Sequence, residues 1–98
     1  MDCNQTVICG NIVEISGLRF TPAGVAVTEF RLNHVSRQIE AGGLRQVECE
    51  VPAVALGQMA EIVSGTRADT AVRLTGFLAK KSRMSSQLVL HVNNIDFI

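Results

Sequence analysis

The sequence predicts an all-β protein, a small barrel of five strands with one short helix between the third and fourth strands. Three observations predict it. Apolar and polar residues alternate with a period of two through most of the 98-residue chain. Glycines interrupt two of these alternating segments, as they do in strands that bend sharply. Only one segment shows the helical spacing of apolar residues. At this length we expect a single domain, residues 1–98.

The first strand is predicted over residues 6–15, which are β-branched and apolar and are interrupted by Gly10. In the second strand, Val27 and Phe30 lie an odd number of residues apart, so the inward face changes between them. This slip predicts a β-bulge near residues 28 and 29.

The third strand is predicted over residues 47–51 and is expected to end at Pro52. Its apolar face carries Val47, Cys49 and Val51. Residues 53–63 form the predicted helix, because four of their apolar residues share one helical face before the stop at residues 64–65. These four are Leu56, Met59, Ala60 and Val63, and we interpret Met59 as core packing.

Val72 and Leu74 predict the fourth strand, in which Gly76 shifts the phase ahead of Phe77, and Leu88 begins the fifth. The connections are residues 16–24, 36–43 and 80–87. The order β-β-β-α-β-β, with bent strands, predicts a five-stranded Greek-key OB-fold whose helix closes the open end of the barrel. Phe30 and Phe77 are predicted to lie in its core.

The charge balance is zero, with nine Lys and Arg against nine Asp and Glu. Residues 1–66 carry four basic and seven acidic residues, whereas residues 67–98 carry five and two. A uniformly basic surface is therefore excluded, but a local basic site is not. No apolar run has the length of a membrane span, and the N-terminus lacks the pattern of a secretory signal, so we expect a cytoplasmic protein without a membrane partner.

Catalytic and metal chemistry have little support. Cys3, Cys9 and Cys49 form no zinc-binding spacing, and we interpret the last two as small buried hydrophobes. His34 and His91 have no nucleophile or carboxylate at a useful spacing, and His91 is interpreted as a hydrogen-bonded strand residue. The sequence therefore predicts neither an enzyme nor a cofactor. Two carboxylates on one strand face, those of Glu48 and Glu50, are interpreted as solvated.

The connection 80–87 is the most informative segment for function. Lys80, Lys81 and Arg83 place three cations in four positions, and small hydroxyl residues follow. In an OB-fold this loop joins the fourth and fifth strands and borders the oligonucleotide groove. Flexible cations and hydroxyl donors suit phosphate contacts, so the loop predicts DNA binding. The alternative is a solvated hairpin tip.

Aromatic stacking residues are scarce, since the chain has four Phe and neither Trp nor Tyr. Phe20, in the first loop, is a candidate stacking residue or an anchor of that loop. A site with little stacking depends on phosphates, so we expect binding that is modest, independent of sequence and sensitive to salt.

Residues 7–12, 18–27 and 30–32 resemble the opening of bacterial single-stranded DNA-binding proteins. The chain ends at Ile98, after the fifth predicted strand, without the long tail, acidic tip and tryptophans of those proteins. Most of it resembles a shorter related family, primosomal replication protein N (PriB). The supporting stretches are residues 19–24, 40–52, 76–83, 90–91 and 94–95.

That resemblance implies a homodimer that binds single-stranded DNA during replication restart. Such a protein stabilises the restart helicase on DNA and helps to recruit the next primosome protein, so that the replicative helicase is reloaded. The family's basic loop maps to Lys80, Lys81 and Arg83, and its basic residue before the third strand maps to Arg45. Glu48 stands where some members carry a stacking tryptophan, and its charge repels phosphate.

We therefore predict a DNA-binding site of Lys80, Lys81 and Arg83, supported by Arg45, Arg19 and Phe20. The alternatives are a protein-interaction OB module with negligible DNA binding, a truncated general single-stranded DNA-binding protein, and an oligosaccharide-binding domain. The last is disfavoured because sugars need an aromatic platform. For the dimer, we hypothesise contact through the first strand at residues 9–15, where an unpaired edge would be exposed.

Overall fold

The computed structural model describes all 98 residues and contains a barrel closed by five long strands. In chain order the elements are β1 (Thr6–Val13), β2 (Arg19–Phe20), β3 (Ala26–Glu40), β4 (Gly43–Leu56), α1 (Gln58–Ser64), β5 (Ala71–Lys80) and β6 (Leu88–Phe97). The order of the long strands is β1-β5-β6-β4-β3, and β1 also pairs with β3; β4 and β6 run parallel, and the other pairs are antiparallel. This arrangement confirms the predicted OB-fold.

The barrel closes where β1 changes partner. Residues 6–11 of β1 pair with β5, residues 11–13 pair with β3, and Asn11 has a partner in both strands. Just before this junction, a Cβ atom at Gly10 would overlap the carbonyl oxygen of Asn33. Glycine is therefore needed for the close approach of the two backbones. Because β3 occupies the edge of β1 at residues 11–13, the hypothesised dimer contact over residues 9–15 is largely wrong.

The predicted phase shift of the strand at Gly76 is wrong, because the extra residue of the irregularity found there, Asn93, lies in β6, and β5 keeps Val72, Leu74 and Gly76 on its inward face. The pairing of β5 with β6 changes register between Thr75 and Gly76, so this part of the ladder contains a bulge. A Cβ atom at Gly76 would overlap the carbonyl oxygen of His91. The glycine therefore lets the two strands bend closely around the core.

The predicted bulge near residues 28 and 29 is wrong, because β3 pairs with β4 without interruption from Val27 to Glu40. The inward residues of β3 are Ala26, Thr28, Phe30 and Leu32, all of them buried. The hydroxyl of Thr28 donates a hydrogen bond to the Ala60 carbonyl at 3.1 Å. Val27 faces outward instead, where it packs with Val54 and Val89. Ala26, a small residue, and Thr28, a polar one, thus face inward, whereas the prediction placed Val27 on the inward face.

The strands β3 and β4 form an arm that extends beyond the barrel. The predicted connection 36–43 is therefore wrong: both strands continue to a two-residue turn at Ala41 and Gly42, whose φ angles are 52° and 79°. The strand also does not end at Pro52. β6 pairs with β4 only from Ala53 onward, so Pro52 lies where one edge of β4 has no strand neighbour, a position that tolerates proline.

The helix is shorter than predicted, because residues 53–56 belong to β4 and α1 begins at Gln58. It packs against β3, β4 and β6 and buries Ala60 and Val63, while Met59 contacts the core as predicted. With seven residues, this only helix falls far short of a bilayer's thickness.

The predicted burial of Cys9, Cys49 and Phe77 is wrong. Cys9 and Cys49 are exposed. Cys9 lies on the outer face of β1, between inward-facing neighbours, and Cys49 lies on the arm, beyond most of the core. Phe30 is buried as predicted, but Phe77 is 38% exposed on the outer face of β5.

We expect Gly76→Ala to lower the free energy of unfolding by at least about 2 kcal/mol, because the new methyl group would displace backbone rather than a flexible side chain. Urea denaturation followed by circular dichroism measures the change. Gly17→Ala is the matched control, since no atom lies within 4 Å of the added methyl group. Equal stability of the two variants would contradict this account of the bulge.

Candidate nucleic-acid interface

The loop between β5 and β6 presents a compact group of free cations. The amide of Lys81 donates to the Gln87 carbonyl at 2.9 Å, and the amide of Ser85 donates to the Ser82 carbonyl at 3.2 Å, so the loop is closed at its base and turned at its tip. All three predicted cations are exposed, and none of the five ion pairs of the protein involves them. They are Lys80, Lys81 and Arg83.

The other predicted site residues are arranged differently. Arg19 forms an ion pair with Glu29 at 3.3 Å, at one side of the barrel's outer face. Arg45 forms one with Glu40 at 2.6 Å, close to the turn that ends the arm. Phe20 is 62% exposed beside Arg19 in β2. The structure thus leaves Arg45 at the end of the arm, apart from the predicted cluster.

A groove of about 210 Å³ lies on the outer face of the barrel, between the start of the first loop and the β5–β6 loop. One lining residue is Arg31, which is 3.2 Å from the Glu14 carboxylate and 3.6 Å from that of Glu50. Sequence reasoning missed Arg31, although a charged residue between inward-facing Phe30 and Leu32 was a signal that it points outward. The lining includes Glu14, Glu29, Arg31, Pro52, Lys81 and Val89.

Charges in and around the groove nearly balance. Glu14, Glu29 and Glu50 each form an ion pair with an arginine, whereas Lys81 has no acidic partner. Glu48 lies on the same face of β4 as Glu50, as predicted, and accepts a hydrogen bond from Gln46 Nε2 at 3.1 Å. The groove can therefore offer a phosphate one free cation from the loop, plus arginines that must first leave their carboxylates.

His34 is hydrogen-bonded to a serine hydroxyl, so the prediction that it has no nucleophile at a useful spacing is wrong, although neither residue lines the groove. The Nδ1 atom of His34 lies 2.6 Å from the Cys9 carbonyl oxygen, and its Nε2 atom lies 2.8 Å from the Ser36 hydroxyl. The ring of His91, in β6, stacks on Phe77 with 4.9 Å between the ring centroids and 7° between their planes. No group of three His, Cys, Asp or Glu side chains is placed to hold a metal ion.

A closed barrel with a groove between these two loops defines an OB-fold, a class that binds oligonucleotides and oligosaccharides. Residues 4–94 match the model of a family described as another single-strand binding protein family. The chain belongs to this single-strand binding family.

Within that class, the chain is similar to replication restart proteins. It is 44% identical to the replication restart protein PriB of Nitrosomonas europaea, over 97% of this chain and 88% of that protein. The solved structure of PriB from Ralstonia solanacearum superposes with a TM-score of 0.87 and 31% identity, over 96% of each chain. A deletion mutant of the Thermus aquaticus single-stranded DNA binding protein shares the fold, with a TM-score of 0.77 and 22% identity over 97% of this chain and half of its own. The predicted resemblance to PriB is confirmed.

Proposed function

We propose that the protein is a non-enzymatic, single-stranded-DNA-binding accessory factor of the replication restart primosome, acting in the cytoplasm. It stabilises the restart helicase on DNA and promotes primosome assembly, so that the replicative helicase is reloaded. Its family and its similarity to replication restart proteins support this role. The observation that carries the DNA-binding part is the cluster of three free cations beside the groove.

In this proposal Lys80, Lys81 and Arg83 contact phosphates directly. No ion pair has to be broken for them to do so, and phosphate contacts carry affinity without reading sequence. Arg19 and Arg45 are secondary contacts, because each must exchange a carboxylate for a phosphate. The exposed ring of Phe20 supplies a stacking surface.

A protein-interaction module with negligible DNA binding is the second candidate. The exposed carboxylates of Glu48 and Glu50 and the 96% exposed side chain of Met84 in the basic loop favour it. Capture of a restart helicase in a pull-down, together with failure to bind an oligonucleotide, would decide for this candidate. A truncated general single-stranded DNA-binding protein would instead bind DNA and fail to capture the helicase.

We expect labelled oligo(dT) to bind the wild-type protein with a log–log salt slope of about −2, since each of three neutralised phosphates contributes about 0.7. The triple variant Lys80→Ala/Lys81→Ala/Arg83→Ala should bind more weakly and lose most of that slope. Fluorescence anisotropy at several salt concentrations measures both quantities.

The control for this titration is Arg67→Ala. Arg67 is an exposed cation without an ion pair, and it precedes β5 at the end opposite the basic loop. It should keep the wild-type affinity and slope. If the triple variant also keeps both, the loop is not the DNA site.

We expect the double variant Glu14→Gln/Glu50→Gln to bind oligo(dT) about two- to fivefold more tightly at low salt, because it removes repulsion and frees Arg31 for phosphate. The gain should shrink at high salt, where charges are screened. Glu61→Gln on α1 removes an exposed acid outside the groove and should change affinity little. A double variant that binds no more tightly than Glu61→Gln would show that Arg31 does not take part.

The proposed homodimer uses the part of β1 that the barrel leaves free. Pairing with β3 covers residues 11–13, and Cys9 and Gly10 lie against His34 and Asn33, so residues 6–8 are the part that faces no strand on that edge; Val7 there is 58% exposed. We expect Val7→Lys to weaken dimerisation at least about tenfold, because a two-fold axis brings the new charges together.

Sedimentation equilibrium at micromolar concentration measures this dimerisation. The matched control is Val35→Lys, since Val35 is 57% exposed on the outer face of the arm. A monomeric wild-type protein, or equal effects of the two lysines, would count against dimerisation through β1.

A further inference from the structure

The geometry points to a nucleobase-stacking site on the Phe77–His91 ring pair, which extends the single-stranded DNA path along the outer face of β5. This inference rests on the proposed DNA-binding function and adds a second contact surface to it. The ligand is an unpaired base of single-stranded DNA whose phosphates lie on the basic loop.

The two rings stand side by side on neighbouring strands. Phe77 of β5 is the direct pairing partner of His91 of β6, and the rings are parallel within 7° at 4.9 Å. That separation matches the spacing of adjacent strands, about 4.8 Å, so both rings rise from the sheet rather than lie on it. His91 covers one face of the phenyl ring and fixes its orientation.

The opposite face of the phenyl ring is turned toward β1. The pairing of β1 with β5 ends one residue before Phe77. The last pair in that direction joins Thr6 to Gly76, and beyond it Asn4 bonds the backbone of Leu78 with its side-chain amide. Phe77 therefore keeps 38% of its surface exposed. An exposed ring with a fixed orientation is the kind of surface on which a base of any sequence stacks.

The ring pair is continuous with the basic loop. Phe77 and Ala79 alternate along β5, and Lys81, the first residue after it, continues the alternation through its backbone bond to Gln87, so the three side chains leave the same face of the sheet. About 13 Å separates Phe77 from Lys81, and the small side chain of Ala79 leaves the surface low between them. A strand held by Lys81 can therefore lie along β5 and reach the ring.

Charge favours this path over the other side of the groove. No Asp or Glu occurs between Asp69 and Asp96, so β5, the loop and most of β6 present no carboxylate. Glu14 and Glu29 line the groove on the side of β1 and β3, and Glu50 lies beside them on Arg31. The pairing partner of His91 on β4 is Val54, an apolar residue that extends the uncharged surface of β5 and β6 onto β4.

The chain has no Trp or Tyr, so Phe77→Trp introduces a single fluorophore at the proposed site. We expect oligo(dT) to quench most of its emission at saturation. An abasic oligomer of equal length should bind the loop without quenching. In the control Phe97→Trp, the indole lies at the far end of β6 from the basic loop, on a residue that is 55% exposed, and oligo(dT) should leave its emission unchanged.

Phe77→Leu tests the same contact through affinity. We expect about tenfold weaker binding of oligo(dT) with an unchanged salt slope, because stacking neutralises no phosphate. Circular dichroism checks that the variant is folded, and if it is not, the Phe77→Trp fluorescence decides. Unchanged emission and unchanged affinity, in proteins that still bind oligo(dT) through the loop, overturn the stacking site and leave the proposed function standing. Failure of the wild-type protein to bind oligo(dT) would overturn both.

Discussion

Closure of the barrel at Gly10 is the constraint on which the rest of the structure depends. β1 leaves β5 and joins β3 within a few residues, and the backbones approach so closely that a side chain at Gly10 would collide with Asn33. Closure satisfies the backbone groups of β1 at its C-terminal end, and the first loop, residues 14–25, then follows the edge of β3, where the Ser16 amide donates to the Glu29 carbonyl and β2 pairs with residues 26 and 27. The same closure places this first loop opposite the β5–β6 loop. The groove between them is thus a consequence of how the sheet closes.

The ion pairs explain how a chain without net charge presents a basic site. Of nine cations, Arg19, Arg31, Arg45 and Arg73 are held by carboxylates. Five remain free, and three of these lie on the single loop beside the groove. An exposed ion pair contributes little to stability, but it keeps its cation from contacting phosphate freely. The effective positive charge is therefore much more local than the composition indicates.

The element order and the basic loop were predictable because each depends on a local pattern of residues. The phase of β3 was not, since Ala26 and Thr28 hold inward positions and only their contacts with α1 and the core identify them as such. Alternation also predicted burial for Cys49, which lies on an arm that nothing covers. Two ion pairs at the groove join Glu14 and Glu50 to Arg31, and no spacing along the chain predicts that these three residues meet.

The outer face of the barrel has an acidic and a basic part, and these correspond to the acidic and basic segments of the sequence. The acidic part of the chain, residues 1–66, supplies Glu14 and Glu29 in the groove, Glu50 beside it, and Glu48 on the same face of β4 as Glu50. Residues 67–98 supply the free loop cations and the Phe77–His91 pair. In the site that we propose, this distribution of charge directs a DNA strand away from the arm and toward β5 and β6. The exposed ring of Phe77 on β5 is then the stacking surface that such a path can reach.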